Sequence, residues 1–108
     1  MAHPADPFFR VYTAAEREEA AASDEPLLYY AGRFAAKEAV FKALRIAGDH
    51  VRLDEIETLH GHYGEPCVTL HGQLKAYAES EGIRRIHLSL SNDTPFVIAY
   101  AVSERDRS

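Results

Sequence analysis

The chain has 108 residues, 46% of them hydrophobic, with one cysteine and no tryptophan, and carries a formal charge of −5 from 12 basic and 17 acidic side chains. That length predicts one domain able to bury a core without staples, and a lone Cys67 excludes a disulfide framework. The acidic balance argues against nucleic acid, the longest apolar run, Phe96–Val102, is far too short for a membrane helix, and Met1–Asp6 has no secretory pattern, which predicts a cytoplasmic protein.

In chain order, Thr13-Ala-Ala-Glu16 spells a capping box, in which the Thr13 hydroxyl and the Glu16 carboxylate each satisfy the other residue's amide. A short Ala- and Glu-rich helix over about Ala14–Ala22 should follow. Ser23-Asp24-Glu25-Pro26 then restarts the pattern with a cap candidate, acids for the positive helix end and a first-turn proline. From Leu27 to about Ala47 a helical period runs through Leu27, Tyr30, Phe34, Phe41 and Leu44, predicting one apolar stripe with Arg33, Lys37, Glu38, Lys42 and Arg45 on other faces and Gly48 as the stop.

The period then changes. Leu53–Leu59 reads as a strand, His60–Pro66 as a turn and Cys67–Leu70 as the returning strand. Gln73–Glu81 is a short helix closed by Gly82. Ile86, Leu88 and Leu90 alternate with His87, Ser89 and Ser91, the pattern of a half-buried strand. After the Asn92–Pro95 turn, Phe96–Val102 is apolar on both faces, as a central strand would be. The fold class is α+β, a mainly antiparallel sheet packed on one long helix.

Most chemistry-bearing residue types have ordinary explanations. His60-Gly-His62 offers two metal ligands but no third at a metal spacing. His87, Ser89 and Ser91 share a strand face at roughly 7 Å intervals, beyond the reach of a nucleophile and its base. Cys67 reads as a small buried hydrophobe, and Gly61 and Gly64 fit a hairpin better than a phosphate loop. Glu38 and Lys42, four apart with the acid first, would ordinarily form a surface ion pair of about 0.2–0.5 kcal/mol.

The string around that pair changes its meaning. Gly32-Arg33-Phe34-Ala35-Ala36-Lys37-Glu38-Ala39-Val40-Phe41-Lys42-Ala43-Leu44 resembles the signature helix of the 4′-phosphopantetheinyl transferases, in their holo-acyl-carrier-protein synthase branch. Three further segments agree in order: Phe9–Glu16 with that branch's T-x-x-E helix start, Gly64–Leu70 with its G-x-P strand, and Ile86–Ser91 followed by Ala99 and Ala101 with its closing I-H-x-S-x-S strand pair. Together they cover residues 8 to 104.

The resemblance implies transfer of the phosphopantetheine arm of coenzyme A to a serine of an acyl carrier protein, in a homotrimer with sites between subunits. It makes Glu38 a magnesium ligand and sets Lys42 against the same phosphates; a hard cation needs only one or two carboxylates when phosphates and water complete its shell. It brings Arg33 to a coenzyme A phosphate, Gly64 and Pro66 to the loop on the adenine side, and Ser91 and Asn92 to the nucleotide. The family's opening G-I-D strand, source of a second metal ligand, has no counterpart here, and Asp6 cannot be assigned that role. Asn92 stands where the family has histidine, Asp24 and Glu25 where it often has bases, and Arg45 where it has glycine. Three readings stay open: a longer chain carrying the missing segment, a shortened enzyme, and an impaired homologue that binds coenzyme A or a carrier protein, or assembles, without turnover.

Overall fold

The structure is a computed structural model that describes residues 10–46, 52–93 and 96–105, with the side chains of 92, 93 and 96–98 left out. Asp6, Phe9 and Gly48 lie outside the described residues. Helix α1 spans Ala14–Ala21 and opens on the expected capping box, with the Glu16 amide donating to Thr13 Oγ1 at 3.2 Å and the Thr13 amide to Glu16 Oε1 at 2.8 Å. Helix α2 spans Pro26–Leu44, with proline in its first turn. Its capping residue is Glu25, which makes no side-chain cap; Ser23 Oγ accepts from the Glu25 amide at 3.2 Å instead.

Helix α2 stops earlier than its sequence period suggests. Arg45 turns into the left-handed region at φ 58°, and the carbonyl of Leu44 is taken by the Tyr77 hydroxyl at 3.1 Å and the Arg105 guanidinium at 3.3 Å. Tertiary partners thus satisfy a carbonyl that a further turn would have used.

Leu53–Glu55 is a 3-10 turn rather than the start of a strand. The buried Lys37 amine donates to the carbonyls of both Leu53 and Ile56, drawing this stretch inward. Strand β1 (Ile56–His60) and β2 (Pro66–Leu70) form an antiparallel hairpin with Ile56 opposite Leu70 and His60 opposite Pro66. Helix α3 (Gly72–Ser80) takes its amino-terminal cap from Glu55, whose carboxylate accepts from the Leu74 amide at 3.0 Å. Strands β3 (Ile83–Asp93) and β4 (Phe96–Arg105) make a second antiparallel hairpin.

Helix α2 lies across both hairpins, and Val40, Leu44, Leu53, Ile56 and Leu74 form the centre of the core. Phe34 and Phe41 are half-buried against it, whereas Leu27 is 65% exposed. The face of α2 that is fully covered is Arg33, Ala36, Lys37, Val40 and Leu44. The inward face therefore differs from the apolar stripe, because two of its five positions, Arg33 and Lys37, are charged.

Cys67 is exposed, not buried. Strand β2 begins at Pro66, so Pro66, Val68 and Leu70 turn toward the core and Cys67 and Thr69 away from it. In β4 the alternation is equally plain: Ala99, Ala101 and Ser103 are half-buried, while Tyr100 and Val102 are 67% and 42% exposed. Among the described residues β4 pairs only with β3, so it is an edge strand rather than the central strand that its apolar run suggests. No helix of the described residues is long and apolar enough to cross a membrane.

Candidate active site

The charges on α2 divide by face. Lys37 is fully buried, 2.8 Å from Glu16 Oε1, and Glu16 is equally buried. Glu16 Oε2 also accepts from the Thr58 amide at 2.7 Å and the Thr58 hydroxyl at 3.0 Å, which ties α1 to β1. Burial holds the Lys37 amine below the usual lysine range against the opposing pull of Glu16. Tyr12, buried above the amine with its ring centroid 5.5 Å from Lys37 Nζ, is pushed well above the usual tyrosine range, by burial first and then by Glu16. These groups are structural: every charge is answered inside the fold.

Arg33 is 3% exposed. Its Nη2 donates to His60 Nε2 at 2.9 Å and stands 3.9 Å from Glu19 Oε1, and its Cζ lies 5.0 Å from the centroid of the Tyr29 ring. Nη1 is buried and finds no hydrogen-bond partner among the described residues. A buried guanidinium donor left open is costly unless something is to meet it. Two hollows border this side chain. One of about 520 Å³ includes Asp24, Glu25, Arg33, His60 and Ser91; the other, of about 280 Å³, includes Arg33, His60, Gly64, Pro66 and Ser89.

Gly64 sits in the β1–β2 turn at φ +82°, a conformation that side chains disfavour, with open space where a Cβ would be. Its amide donates to the Gly61 carbonyl at 3.0 Å. Arg33, Gly64, Pro66 and Ser91 are thereby brought to one side of α2. Asn92 follows in β3 opposite Val97.

Glu38 and Lys42 lie elsewhere. At about 100° per residue, Glu38 is about 140° around the helix from Arg33 and Lys42 about 180°. Both are exposed, and they border a separate hollow of about 320 Å³ with Phe34, Ala35 and Ala99. Among the described residues neither side chain makes a hydrogen bond or an ion pair, so the surface pair that their spacing suggests is not formed. A single free carboxylate beside a free amine suits a cation whose remaining ligands are phosphate and water. Among the described residues no three potential ligands cluster to make an all-protein metal cage.

Sequence reasoning missed Glu19, Tyr29 and His60 as a group. The Glu19 carboxylate accepts from the Tyr29 hydroxyl at 2.6 Å and the His60 amide at 2.9 Å. Burial pushes the Glu19 carboxyl up, yet Tyr29, the His60 amide and ring, and Arg33 together hold it below the usual range. Burial first, and then the hydrogen bond to Glu19, raises the Tyr29 hydroxyl. The three residues lie 10 and 31 positions apart, and only the return of β1 beside α1 and α2 assembles them.

This arrangement has known relatives. The family model of the 4′-phosphopantetheinyl transferase superfamily matches residues 2–101. A holo-[acyl-carrier-protein] synthase of Caldanaerobacter subterraneus subsp. tengcongensis is 36% identical over 94 residues, which is 87% of this chain and 74% of that protein. The fatty acid synthase subunit alpha of Schizosaccharomyces pombe is 35% identical over 98 residues, 89% of this chain but 5% of that much longer protein. Among solved structures, the ACPS–CoA complex of Chronobacterium ammoniagenes has 30% sequence identity and a TM-score of 0.84, covering 98% of this chain and 86% of that one. The match of the family model, the sequence relatives and the solved structure all point to one group: the chain belongs to the 4′-phosphopantetheinyl transferase superfamily.

Proposed function

We infer that this chain transfers the 4′-phosphopantetheine group of coenzyme A to a serine of an apo acyl carrier protein, as a holo-acyl-carrier-protein synthase does. The observation that carries this reading is the exposed Glu38 and Lys42 one helical turn apart, unpaired among the described residues, on the helix that also buries Arg33 with a donor that none of those residues meets. The serine oxygen bonds to the phosphorus that bears the pantetheine arm, the bond from that phosphorus to the bridging oxygen breaks, and adenosine 3′,5′-bisphosphate leaves. In this reading the Lys42 ammonium neutralises charge on the phosphates or shuttles the serine proton. Glu38 is the residue to hold magnesium, which when bound supplies charge neutralisation at the pyrophosphate oxygens. Arg33 meets a phosphate, Gly64 and Pro66 shape the loop on the adenine side, and Ser91 and Asn92 adjoin the nucleotide.

The opposite placement of Arg33 and Glu38 on α2 favours a site completed by a second copy. One chain offers its Glu38 face and a neighbour its Arg33 face, and a closed ring of three copies would form three such sites. The uncovered Tyr100 and Val102 of β4 supply apolar surface for such contact. The assembly would work in the cytoplasm, where coenzyme A and carrier proteins meet.

The test is labelling of an apo acyl carrier protein with a fluorescent coenzyme A. The wild-type chain should transfer the label in the presence of magnesium, and Glu38→Ala and Lys42→Ala should each abolish transfer; undiminished labelling by both variants would remove the site. Mixing inactive Glu38→Ala chains with inactive Arg33→Ala chains should recover part of the activity if the site is shared between copies, and none if each chain acts alone. One observation favours the second reading, a module that binds without turnover. Asp24 and Glu25 share the larger hollow with Arg33 and oppose an anion there. Under that reading the wild type binds coenzyme A or a carrier protein and transfers nothing at any magnesium concentration.

A further inference from the structure

His60 is half of a two-histidine motif in a glycine-containing turn, and its ring is 53% exposed at the end of β1. Arginine has only donors, so the 2.9 Å contact with Arg33 Nη2 makes His60 Nε2 an acceptor. The ring proton is then on Nδ1, which faces Glu19 Oε1 at 3.3 Å. Glu19 Oε2 accepts from the amide of the same histidine at 2.9 Å, and the Tyr29 hydroxyl donates to Glu19 Oε1 at 2.6 Å. Groups from α1, α2 and β1 thus select one tautomer and one ring orientation.

We propose that His60 is the positioning residue that sets the Arg33 guanidinium for the phosphate groups of coenzyme A, acting as a neutral imidazole with its proton on Nδ1. Arg33 and His60 border both the 520 Å³ and the 280 Å³ hollows, so they stand where a ligand extending from one to the other must pass. With one Nη2 hydrogen engaged by the ring and Tyr29 beneath Cζ, the guanidinium plane is fixed, and the donors without a partner among the described residues, Nη1 included, keep one direction. A guanidinium already held in place loses less freedom when the phosphate arrives. The role rests on the coenzyme A reading above. It acts on binding and not on the transfer step, because the His60 ring contacts Arg33 and Glu19 and neither Glu38 nor Lys42.

Calorimetric titration with coenzyme A tests it, alongside steady-state kinetics. His60→Ala, at an exposed strand end, should keep the wild-type circular dichroism, weaken binding about tenfold and raise KM to match, with kcat unchanged. His60→Gln offers an amide oxygen to Arg33 and an amide N–H to Glu19, and should bind within about twofold of wild type. Nitrogen-15 imidazole shifts of the free protein at pH 8 should report the proton on Nδ1. Wild-type binding that His60→Ala leaves intact, a His60→Gln variant as weak as His60→Ala, or a ring protonated on Nε2 would each overturn this role alone. Failure of the wild-type chain to bind coenzyme A would overturn the proposed function and this role together.

Discussion

The inner and outer faces of α2 carry the same kinds of charge to opposite ends. Inward, Lys37 meets Glu16 at 2.8 Å and two carbonyls, in complete burial. Outward, Glu38 and Lys42 stand exposed and do not even meet each other. The difference teaches how to separate scaffold from chemistry within one helix. A charge answered inside the fold is structural, and a charge held in place without an answer is available to a ligand. Arg33 lies between these extremes, buried and held by His60 yet with Nη1 open.

The contrast is tested most severely at Lys37. Lys37→Ala removes the cation from a fully buried carboxylate and leaves two inward carbonyls without their donor. Breaking a buried pair from one side costs about 3–5 kcal/mol, a large share of a total stability of about 5–15 kcal/mol. Urea unfolding should show a loss of that size, and a change under about 1 kcal/mol would deny Lys37 its structural role. A double variant that also replaces Glu16 by glutamine should lose less than the two single losses added, because the stranded charge is gone.

On the outer face the pattern should invert. Glu38→Ala and Lys42→Ala should each lower kcat/KM for carrier-protein labelling at least about 100-fold, or about 2.7 kcal/mol of transition-state stabilisation. Their unfolding free energies should stay within about 0.5 kcal/mol of wild type, since neither side chain has a partner to lose among the described residues. Loss of stability without loss of transfer would exchange the roles assigned to the two faces.

How far the sequence foretells this division depends on what its patterns measure. The Thr13–Glu16 box, the proline start of α2 and the alternation of Ile86, Leu88 and Leu90 with His87, Ser89 and Ser91 are local, and the structure has them as read. Hydrophobic periodicity, however, scores a charge as outward, so it misses the buried face formed by Arg33 and Lys37 and places the exposed Leu27 in the stripe. It also registers Glu16 as a cap while being blind to its bonds to Thr58, 42 residues away. Cys67 reads inward as a small hydrophobe, but the alternation of β2 turns Val68 and Leu70 in and the thiol out. Glu38, Lys42, Arg33, Gly64 and Ser91 were nameable only through the signature strings, and spacing alone would have paired Glu38 with Lys42. The Glu19–Tyr29–His60 cluster has no string at all, because its geometry exists only after β1 returns.

Glu19 offers a gentler probe of the boundary between the two faces. Its carboxyl is held below the usual range in the folded chain, so its contribution is complete above the ordinary glutamate value and is lost as pH falls through the lower folded value. In that window the unfolded chain binds more protons, and stability must rise with pH. Thermal unfolding of Glu19→Gln should therefore show a shallower decline than wild type across the same acid range. An identical decline in both would mean that the contacts with Tyr29 and His60 contribute nothing to folding.

The smallest effect belongs to the end of α2, where the two faces meet the cap. Arg45 occupies the left-handed region at φ 58° and ψ 41°. An L side chain there costs about 1–2 kcal/mol. Glycine escapes that cost but gives up about 0.5–1 kcal/mol more backbone entropy on folding. The balance favours Arg45→Gly by about 0.5–1 kcal/mol, and the carbonyl contacts from Tyr77 and Arg105 to Leu44 do not depend on the side chain replaced. Because residue 45 lies beyond both faces, the variant should raise the unfolding midpoint while leaving transfer unchanged. A lower midpoint would mean that the arginine side chain itself stabilises the helix end by more than its backbone strain costs.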